Sequence, residues 1–362
     1  MDRRAAWVVL VVGGLAWAGN DGVAARAPKA RKPFLTPAQV LERLEASPIT
    51  FEIKPIEKLE GVSRGRLADE TWKQLVAPVN LPKVRRRDGA VIIEAWPEPA
   101  SAADPSAKAE EAFRAKKYDE AEKWYRKALE RAPDLYILHA YVGDAILFGN
   151  GDPKLALEEY SRAIAKNPDD YRLYFFRANA HRHLQQADAS LADLRRSLVL
   201  KPRNQVLVTA VQRAGGTMGR IEPDLFVPRA FVRREGAAVA IYADVERPEW
   251  LAWANCKALW LTDEAHRVEM IGSKQRGFST VEETECLAAL VSLYAARLES
   301  GEGMRDDRLD RLVTIVNDGL ASSFVVYELG SRVDPQIVLH LDASFREQLA
   351  RYVEKYVLTA PE

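Results

Sequence analysis

One residue pattern occurs three times in succession between residues 102 and 204, and no other feature constrains the fold of this 362-residue chain as strongly. Each occurrence closes on a proline, and Pro133, Pro168 and Pro202 lie 35 and 34 residues apart. A period near 34 residues indicates helical hairpins that stack side by side, because a single hairpin cannot bury its own apolar face. The sequence therefore predicts a stack of three hairpins in this region.

Small and aromatic side chains recur at matching positions of the three occurrences. In chain order these positions hold Tyr118, Ala121, Tyr125 and Ala128, then Ala156, Tyr160 and Ala163, and finally Ala187, Ser190, Leu194 and Ser197. The pattern resembles the tetratricopeptide repeat family, in which small residues let the two helices of a hairpin touch and a proline ends the second helix. This resemblance covers less than a third of the chain. It implies a scaffold that binds a protein or peptide partner in a concave groove.

The family's register also implies which side chains line that groove. In the second repeat they are Ala140, Asp144, Leu147 and Phe148, and in the third Arg172, Phe175, Asn179, Arg182 and His183. As partner-binding residues we predict Asp144, Arg172, Phe175, Asn179, Arg182 and His183. An amide side chain can bond the main chain of an extended peptide, and a guanidinium can bind its acidic groups. The alternative is the solvated face of an ordinary helix, and the sequence leaves both interpretations open.

The N-terminal residues have the anatomy of an export signal. Arg3 and Arg4 precede an apolar run over 5–15, and Ala16-Trp17-Ala18 follows as a small-x-small site. This order predicts a secretory signal peptide, residues 1–18, that is cleaved after Ala18. The run is shorter than the roughly 20 residues of a spanning helix. We therefore expect a periplasmic or secreted protein without a stable membrane span after cleavage, and an uncleaved anchor is the alternative.

The chain has two cysteines, Cys256 and Cys286, each beside apolar residues of a predicted helix. In an oxidising compartment such a pair favours a structural disulfide. The alternative is two buried thiols that act as small apolar side chains. Because no histidine or further cysteine lies at ligand spacing from either one, we predict no metal site.

The remaining segments are assigned from local signals. Residues 19–35 lack periodicity, which predicts a disordered lead-in, and residues 36–100 predict a small α/β segment and a linker. Residues 221–359 predict a second, mainly helical domain with a short β-hairpin. The expected fold class is mainly α: a tetratricopeptide-type hairpin stack at 102–204 plus this second α+β domain.

Helix starts are predicted from capping residues. Three pairs of residues have the order of a helix cap followed by a proline at the first helical position. They are Thr36 and Pro37, Asp104 and Pro105, and Asp152 and Pro153. Further caps are expected at Asp119 and Asp342.

Charge and motifs exclude several classes of function. The 52 basic and 52 acidic residues balance, so we expect no nucleic-acid partner. The sequence lacks the phosphate-loop, dinucleotide-binding, zinc-protease and nucleophile-elbow motifs, so we predict no cofactor and no catalytic residue. Glu282, Glu283 and Glu285 are interpreted as first-turn charges of a helix, which the helix dipole favours.

We therefore expect an exported, non-catalytic scaffold or adaptor. One alternative is a hydrolase in the C-terminal domain, for which His266 in a cleft or a glutamate cluster of shifted acidity would be the sign. Another is a glycan-binding surface built from Trp250, Trp253 and Trp260, although burial of these side chains in the core is favoured.

Overall fold

The computed structural model describes residues 33–87, 90–149, 151–213, 219–222 and 226–360. The predicted signal peptide and almost all of the predicted lead-in lie outside these ranges. In the described part of the chain, no helix is both long enough and apolar enough to cross a membrane.

Helices dominate the described part of the chain, as the sequence predicts. In chain order they are α1 Pro37–Glu45, α2 Leu67–Thr71, α3 Ala100–Arg114, α4 Tyr118–Arg131, α5 Ile137–Phe148, α6 Pro153–Lys166, α7 Tyr171–His183, α8 Ala187–Leu200, α9 Gln205–Arg213, α10 Pro248–Thr262, α11 Glu264–Ile271, α12 Thr280–Glu299, α13 Asp307–Asn317, α14 Ala321–Phe324, α15 Ser331–Val333 and α16 Ala343–Tyr352. The strands are β1 Phe51–Pro55, β2 Pro82–Arg87, β3 Ala90–Ala95, β4 Arg220–Ile221, β5 Ala230–Glu235, β6 Ala238–Ala243 and β7 Leu358–Thr359.

The chain forms two compact units, and each is discontinuous in sequence. Unit 1 comprises Met1–Val76 and Asp224–Asp334, and unit 2 comprises Ala77–Pro223 and Pro335–Glu362. This grouping differs from the predicted segments, because both the 36–100 segment and the 221–359 segment are divided between the units. Hydrogen bonding between distant parts of the chain causes the difference, as the sheet of unit 1 shows.

The sheet of unit 1 has the strand order β1-β6-β5. Strand β1 pairs parallel with β6, and Phe51 lies opposite Val239. Residues near position 50 therefore belong to the same unit as β6, although the sequence pattern predicts a domain that begins only at residue 221. Strands β5 and β6 form the predicted antiparallel hairpin, and Gly236 has φ +62° in its turn. A left-handed φ suits glycine because it has no Cβ.

Helices α10 and α12 form the core beside this sheet and are joined by a disulfide. Cys256 and Cys286 are bonded, with 5.3 Å between their Cα atoms, which confirms the predicted pair. Trp250, Trp253 and Trp260 are 3%, 1% and 1% exposed, so they are core residues.

Unit 2 contains the three predicted hairpins, α3–α4, α5–α6 and α7–α8. The recurring alanines Ala121, Ala128, Ala156 and Ala163 are completely buried. A side chain no larger than a methyl group lets two helix backbones approach closely, which is the physical reason for the repeat pattern.

Caps were predicted correctly for three helices and wrongly for two. Thr36, Asp152 and Asp342 each accept a hydrogen bond from a main-chain N–H in the first turn of α1, α6 or α16. The prediction was wrong at Asp104, because α3 begins at Ala100 and contains Pro105. It was also wrong at Asp119, which lies in the first turn of α4 rather than before it.

Burial and one side-chain contact explain the early start of α3. Ala102 is 2% exposed in the core, so the extra turn buries apolar surface. Pro105 has no N–H to bond the Ser101 carbonyl oxygen, and Arg131 Nη1 donates to that oxygen at 3.3 Å instead.

The other elements of unit 2 pack around the stack. Strands β2 and β3 are antiparallel, and residues 88 and 89 between them lie outside the described residues. Asn167 Nδ2 donates to the Pro82 carbonyl oxygen at 2.9 Å, which fixes this hairpin beside the repeats. Helix α16 packs on α8, and β4 pairs with β7.

We expect Gly143→Ala to weaken the stack by about 1–3 kcal/mol. An added Cβ would lie 2.7 Å from Tyr160 Cε1, and that ring is completely buried between α5 and α6. Urea unfolding measures the change in free energy. Gly65→Ala is the control, since nothing lies within 4 Å of its added Cβ, and an equal loss in both variants would contradict this account.

Candidate partner-binding groove

Charged side chains from all three hairpins are near enough to Tyr141 to act on it electrostatically. Burial raises the pKa of its phenol above the ordinary value; the positive charge of Arg172 opposes the rise, and Glu110 and Asp144 add to it. These three groups come from α7, α3 and α5. The first helices of the three hairpins therefore share one surface, which we call the groove, and its charges are close enough to act on a single side chain.

Asp144 accepts a hydrogen bond from a residue of its own hairpin. Tyr160 Oη donates to Asp144 Oδ1 at 2.7 Å. Burial raises the pKa of the Asp144 carboxyl to about 7, and the Tyr160 hydrogen bond opposes that rise. Asp144 lies in the groove as predicted, but it is held as a partly protonated acid rather than as an exposed carboxylate.

Arg172 is also held by the protein. Its guanidinium contacts Asp170 Oδ1 at 3.0 Å, and Tyr136 Oη donates to Asp170 Oδ2 at 2.7 Å. Because Asp170 is completely buried, its negative charge needs these hydrogen-bond donors. Arg172 Nη1 also contacts Asn80 Oδ1 at 3.4 Å. Its charge is largely neutralised before any partner arrives.

The remaining predicted residues follow α7 toward its C-terminal end. Phe175 and Asn179 are half-buried, and Asn179 Nδ2 donates to the Phe175 carbonyl oxygen at 3.2 Å. Arg182 and His183 are exposed, and neither side chain has a hydrogen bond or ion pair within the ranges that the structure describes. The end of this helix therefore presents an aromatic ring, an amide oxygen and a cation to solvent.

In the second repeat, two of the groove positions implied by the family's register are core residues. Ala140 and Leu147 are 0% and 8% exposed and belong to the apolar core, so placing them in the groove was wrong. Helix α5 is rotated so that Tyr141, Asp144 and Phe148 share the half-exposed face. A stripe at i, i+3 and i+7 is the signal that would have identified Tyr141.

Phe148 gives the groove an exposed aromatic end. It is 57% exposed and rests on Phe113 and Tyr118, with ring centroids 5.8 Å and 6.1 Å away. An aromatic face of this kind is an anchor for apolar side chains of a partner.

The other residues singled out from the sequence, in unit 1, have structural roles. His266 is 1% exposed, and Arg43 Nη1, which can only donate, lies 3.2 Å from its Nδ1. His266 Nε2 therefore carries the proton and donates to Glu285 Oε2 at 2.9 Å. Trp260 Nε1 and the Leu35 main-chain N–H also donate to Glu285. Both ring nitrogens of His266 are therefore bonded within unit 1.

We expect the stability of unit 2 to depend on pH through Asp144. A carboxyl with a pKa raised from 3.8 to about 7 keeps its proton in the folded state over that window, whereas the unfolded chain loses it. The folded state then binds more protons, so stability falls as pH rises from about 4 to 7 and changes little above that.

Asp144→Asn should remove this pH dependence, since asparagine keeps an acceptor for Tyr160 and has no charge to desolvate. Thermal melts at pH 5 and pH 8 measure this pH dependence. The Tm of the variant should exceed that of the wild type, and the difference should be larger at pH 8 than at pH 5. A gain that is equal at both pH values would show that Asp144 titrates normally.

Comparison with known proteins supports the repeat assignment. Two family models described as tetratricopeptide repeat match residues 107–135 and 146–204. The human protein SGT1 homolog is 41% identical over 64 residues, which are 18% of this chain and 17% of that protein. The present chain therefore matches less than a fifth of this relative's length.

Three solved structures are also similar to parts of the chain. The first such domain of Spaghetti (RPAP3), bound to an HSP90 peptide, is 24% identical with a TM-score of 0.30, over 32% of this chain and 90% of that one. The Arabidopsis OM64 domain is 21% identical with a TM-score of 0.30, over 31% and 93%. MamA is 14% identical with a TM-score of 0.29, over 62% and 93%. Residues 107–135 and 146–204 therefore match tetratricopeptide repeat models, and both ranges overlap the hairpin stack of unit 2.

Proposed function

We propose that the protein is an exported, non-catalytic adaptor that holds an extended segment of a partner protein in the groove of its repeats. The observation that carries this proposal is the end of α7, where Arg182 is exposed and has no ion-pair partner in the described chain. Asn179 lies on the same helix about one turn earlier, and Phe175 about two turns earlier. A groove with these groups fits a peptide that carries an acidic side chain next to an apolar one.

The predicted residues differ in how far contacts inside the protein already occupy their side chains. Arg172 and Asp144 are bound by Asp170 and Tyr160, so they shape the groove and contribute less to capture. Arg182, Phe175 and Phe148 are not used in this way. We therefore assign the partner's acidic group to Arg182 and its apolar groups to the two phenylalanines.

Export is the second part of the proposal. It is supported by the order of charge, apolar run and small residues over 1–18 and by the disulfide between Cys256 and Cys286, since such bonds persist in oxidising compartments. The partner is then a protein of the cell envelope or its exterior.

We expect the double variant Asn179→Ala, Arg182→Ala to lose capture of the partner, because it removes the amide and the cation that face solvent. Crosslinking pull-downs from envelope fractions compare it with the wild-type chain and with Lys154→Ala, an exposed cation on the outer helix α6. Higher salt should also weaken capture by the wild-type chain. A partner recovered equally by all three chains would remove the groove from the proposal.

Export makes a separate prediction for the cysteines. The full chain should yield a mature N-terminus at Gly19 and two cysteines that do not react with an alkylating agent until reduced. A chain that lacks residues 1–18 stays in the reducing cytoplasm, so both thiols should be alkylated. N-terminal sequencing and the mass of the alkylated protein measure both results, and an unprocessed chain recovered from the cytoplasm would contradict export.

A further inference from the structure

Unit 1 contains a cavity that neither the repeats nor the adaptor function uses. Its volume is ≈ 340 Å³, within the roughly 300–1,000 Å³ that is typical of small-molecule sites. The end of α2, strand β5, helices α10 and α11, the segment 275–279 and the start of α12 contribute to its walls. Half-buried apolar side chains in the lining keep surface that a ligand can cover: Phe231, Val232, Leu261, Ile271 and Phe278.

The carboxylates that line the cavity are all bound by lysines. Lys257 Nζ donates to Glu282 Oε1, and it donates to Glu283 Oε1 at 2.8 Å. Lys73 Nζ lies 2.7 Å from Glu70 Oε2. The lining has four cations, so two arginines remain beside these three carboxylates and their two lysines.

The first of these arginines, Arg267, is a buried cation without an ion pair in the described part of the chain. It is 4% exposed, and its Nη1 and Nε donate only to the carbonyl oxygens of Trp260 and Lys274. A guanidinium has donors on all three nitrogens. Nη2 has no acceptor among the described residues, yet it keeps accessible surface, since it is not one of the buried side-chain atoms that lack a partner. An acceptor in the cavity that Arg267 lines can therefore reach it.

The surroundings of Arg267 leave its charge incompletely compensated. Burial lowers the pKa of Arg267, and the positive charge of Arg276 adds to that effect. Three carboxylates oppose it from beyond ion-pair distance, and each is bound by another cation: Glu264 by Lys274, Glu282 by Lys257, and Asp263 by Arg43. A buried charge is stabilised by a partner in contact with it, and an anion in the cavity would be that partner.

Arg276 supplies the second cation, on the exposed side of the cavity. Its side chain is exposed, lines the cavity, and has no hydrogen bond or ion pair among the residues that the structure describes. Because its charge acts on Arg267, the two guanidinium groups are near enough for one anion to interact with both. A carboxylate between them would offset their repulsion and accept hydrogen bonds from each.

We propose that this cavity binds a small apolar carboxylate, an aromatic or aliphatic monocarboxylic acid, with its carboxylate on Arg267 Nη2 and Arg276. The apolar body of the ligand then lies against Phe231, Leu261 and Phe278. The two guanidinium groups select the planar anion, and the half-buried apolar side chains select the body. Unit 1 becomes a receptor for a small molecule, independent of the repeats in unit 2.

Titration calorimetry on the full chain at pH 7 tests the chemistry of the ligand. The probes are two apolar carboxylates, 3-phenylpropionate and octanoate, together with 3-phenylpropionamide, which lacks the charge, and acetate, which lacks the apolar body. We expect at least one apolar carboxylate to bind, and the amide and acetate to bind at least about tenfold more weakly. Absence of binding by both apolar carboxylates, or equal binding of the amide or acetate, would overturn the proposal.

Two variants locate the carboxylate. Arg267→Met removes the buried guanidinium and keeps a long, unbranched side chain, so the affinity for the carboxylate should fall at least about tenfold relative to that for the amide. Arg276→Ala removes the exposed charge and should lower the same ratio at least about threefold. Arg64→Ala, an exposed cation of unit 1 that does not line the cavity, should bind like the wild type.

Arg276→Ala keeps the test decisive if Arg267→Met fails to fold, which circular dichroism would show. Arg267→Met also leaves the Trp260 carbonyl oxygen without its donor, so the ratio of the two affinities, rather than the affinity alone, reports the role of the charge. An unchanged ratio in Arg276→Ala, or in a folded Arg267→Met, would place the carboxylate elsewhere and overturn the proposal.

Discussion

The close approach of paired helices at alanine and glycine is the contact on which unit 2 depends. Gly143 lies against the ring of Tyr160, and the neighbouring alanines are completely buried. Because Tyr160 fills this space, its hydroxyl reaches Asp144 at 2.7 Å on the groove side of α5. One packing contact thus sets the spacing of the hairpin and holds an acid in the groove. The surface that faces a partner is in this way a consequence of how the helices pack.

The sequence could predict the repeats because each repeat is a local structure. The period of the prolines, the small residues and the cap at Asp152 act within about 35 residues, and all of them are found in the structure. The disulfide was also predictable, since the chain offers one pair of cysteines. The exact register of α5 was harder, because this helix is apolar on most of its surface and only the spacing of Tyr141, Asp144 and Phe148 marks its exposed face.

Unit 1 shows what local patterns cannot provide. Strand β1 pairs with β6 across more than 180 residues of sequence, and nothing in either strand specifies the other. The chain passes between the units three times, at 76–77, 223–224 and 334–335. A domain cut at residue 221 would therefore lose β1 and, with it, an edge of its sheet. The partners of the glutamates in α12 are likewise distant in sequence. Local patterns indicate only charges in the first turn of a helix, and the fold brings Lys257, Trp72 and His266 to them.

The exposed side chains of the groove and the buried side chain of Glu283 differ in their effect on the stability of the protein. Arg182 and Phe148 lie on a helix face that is exposed in any case, so their presence costs little stability and is weak evidence of selection for a partner. Glu283 is different, because a buried oxygen without a donor costs about 1–3 kcal/mol. An apolar side chain of similar size would avoid that cost, although Trp72 and Lys257 would then lose their acceptor. Among the described residues, Glu283 thus bonds two donors through one oxygen and keeps the other oxygen buried without a donor.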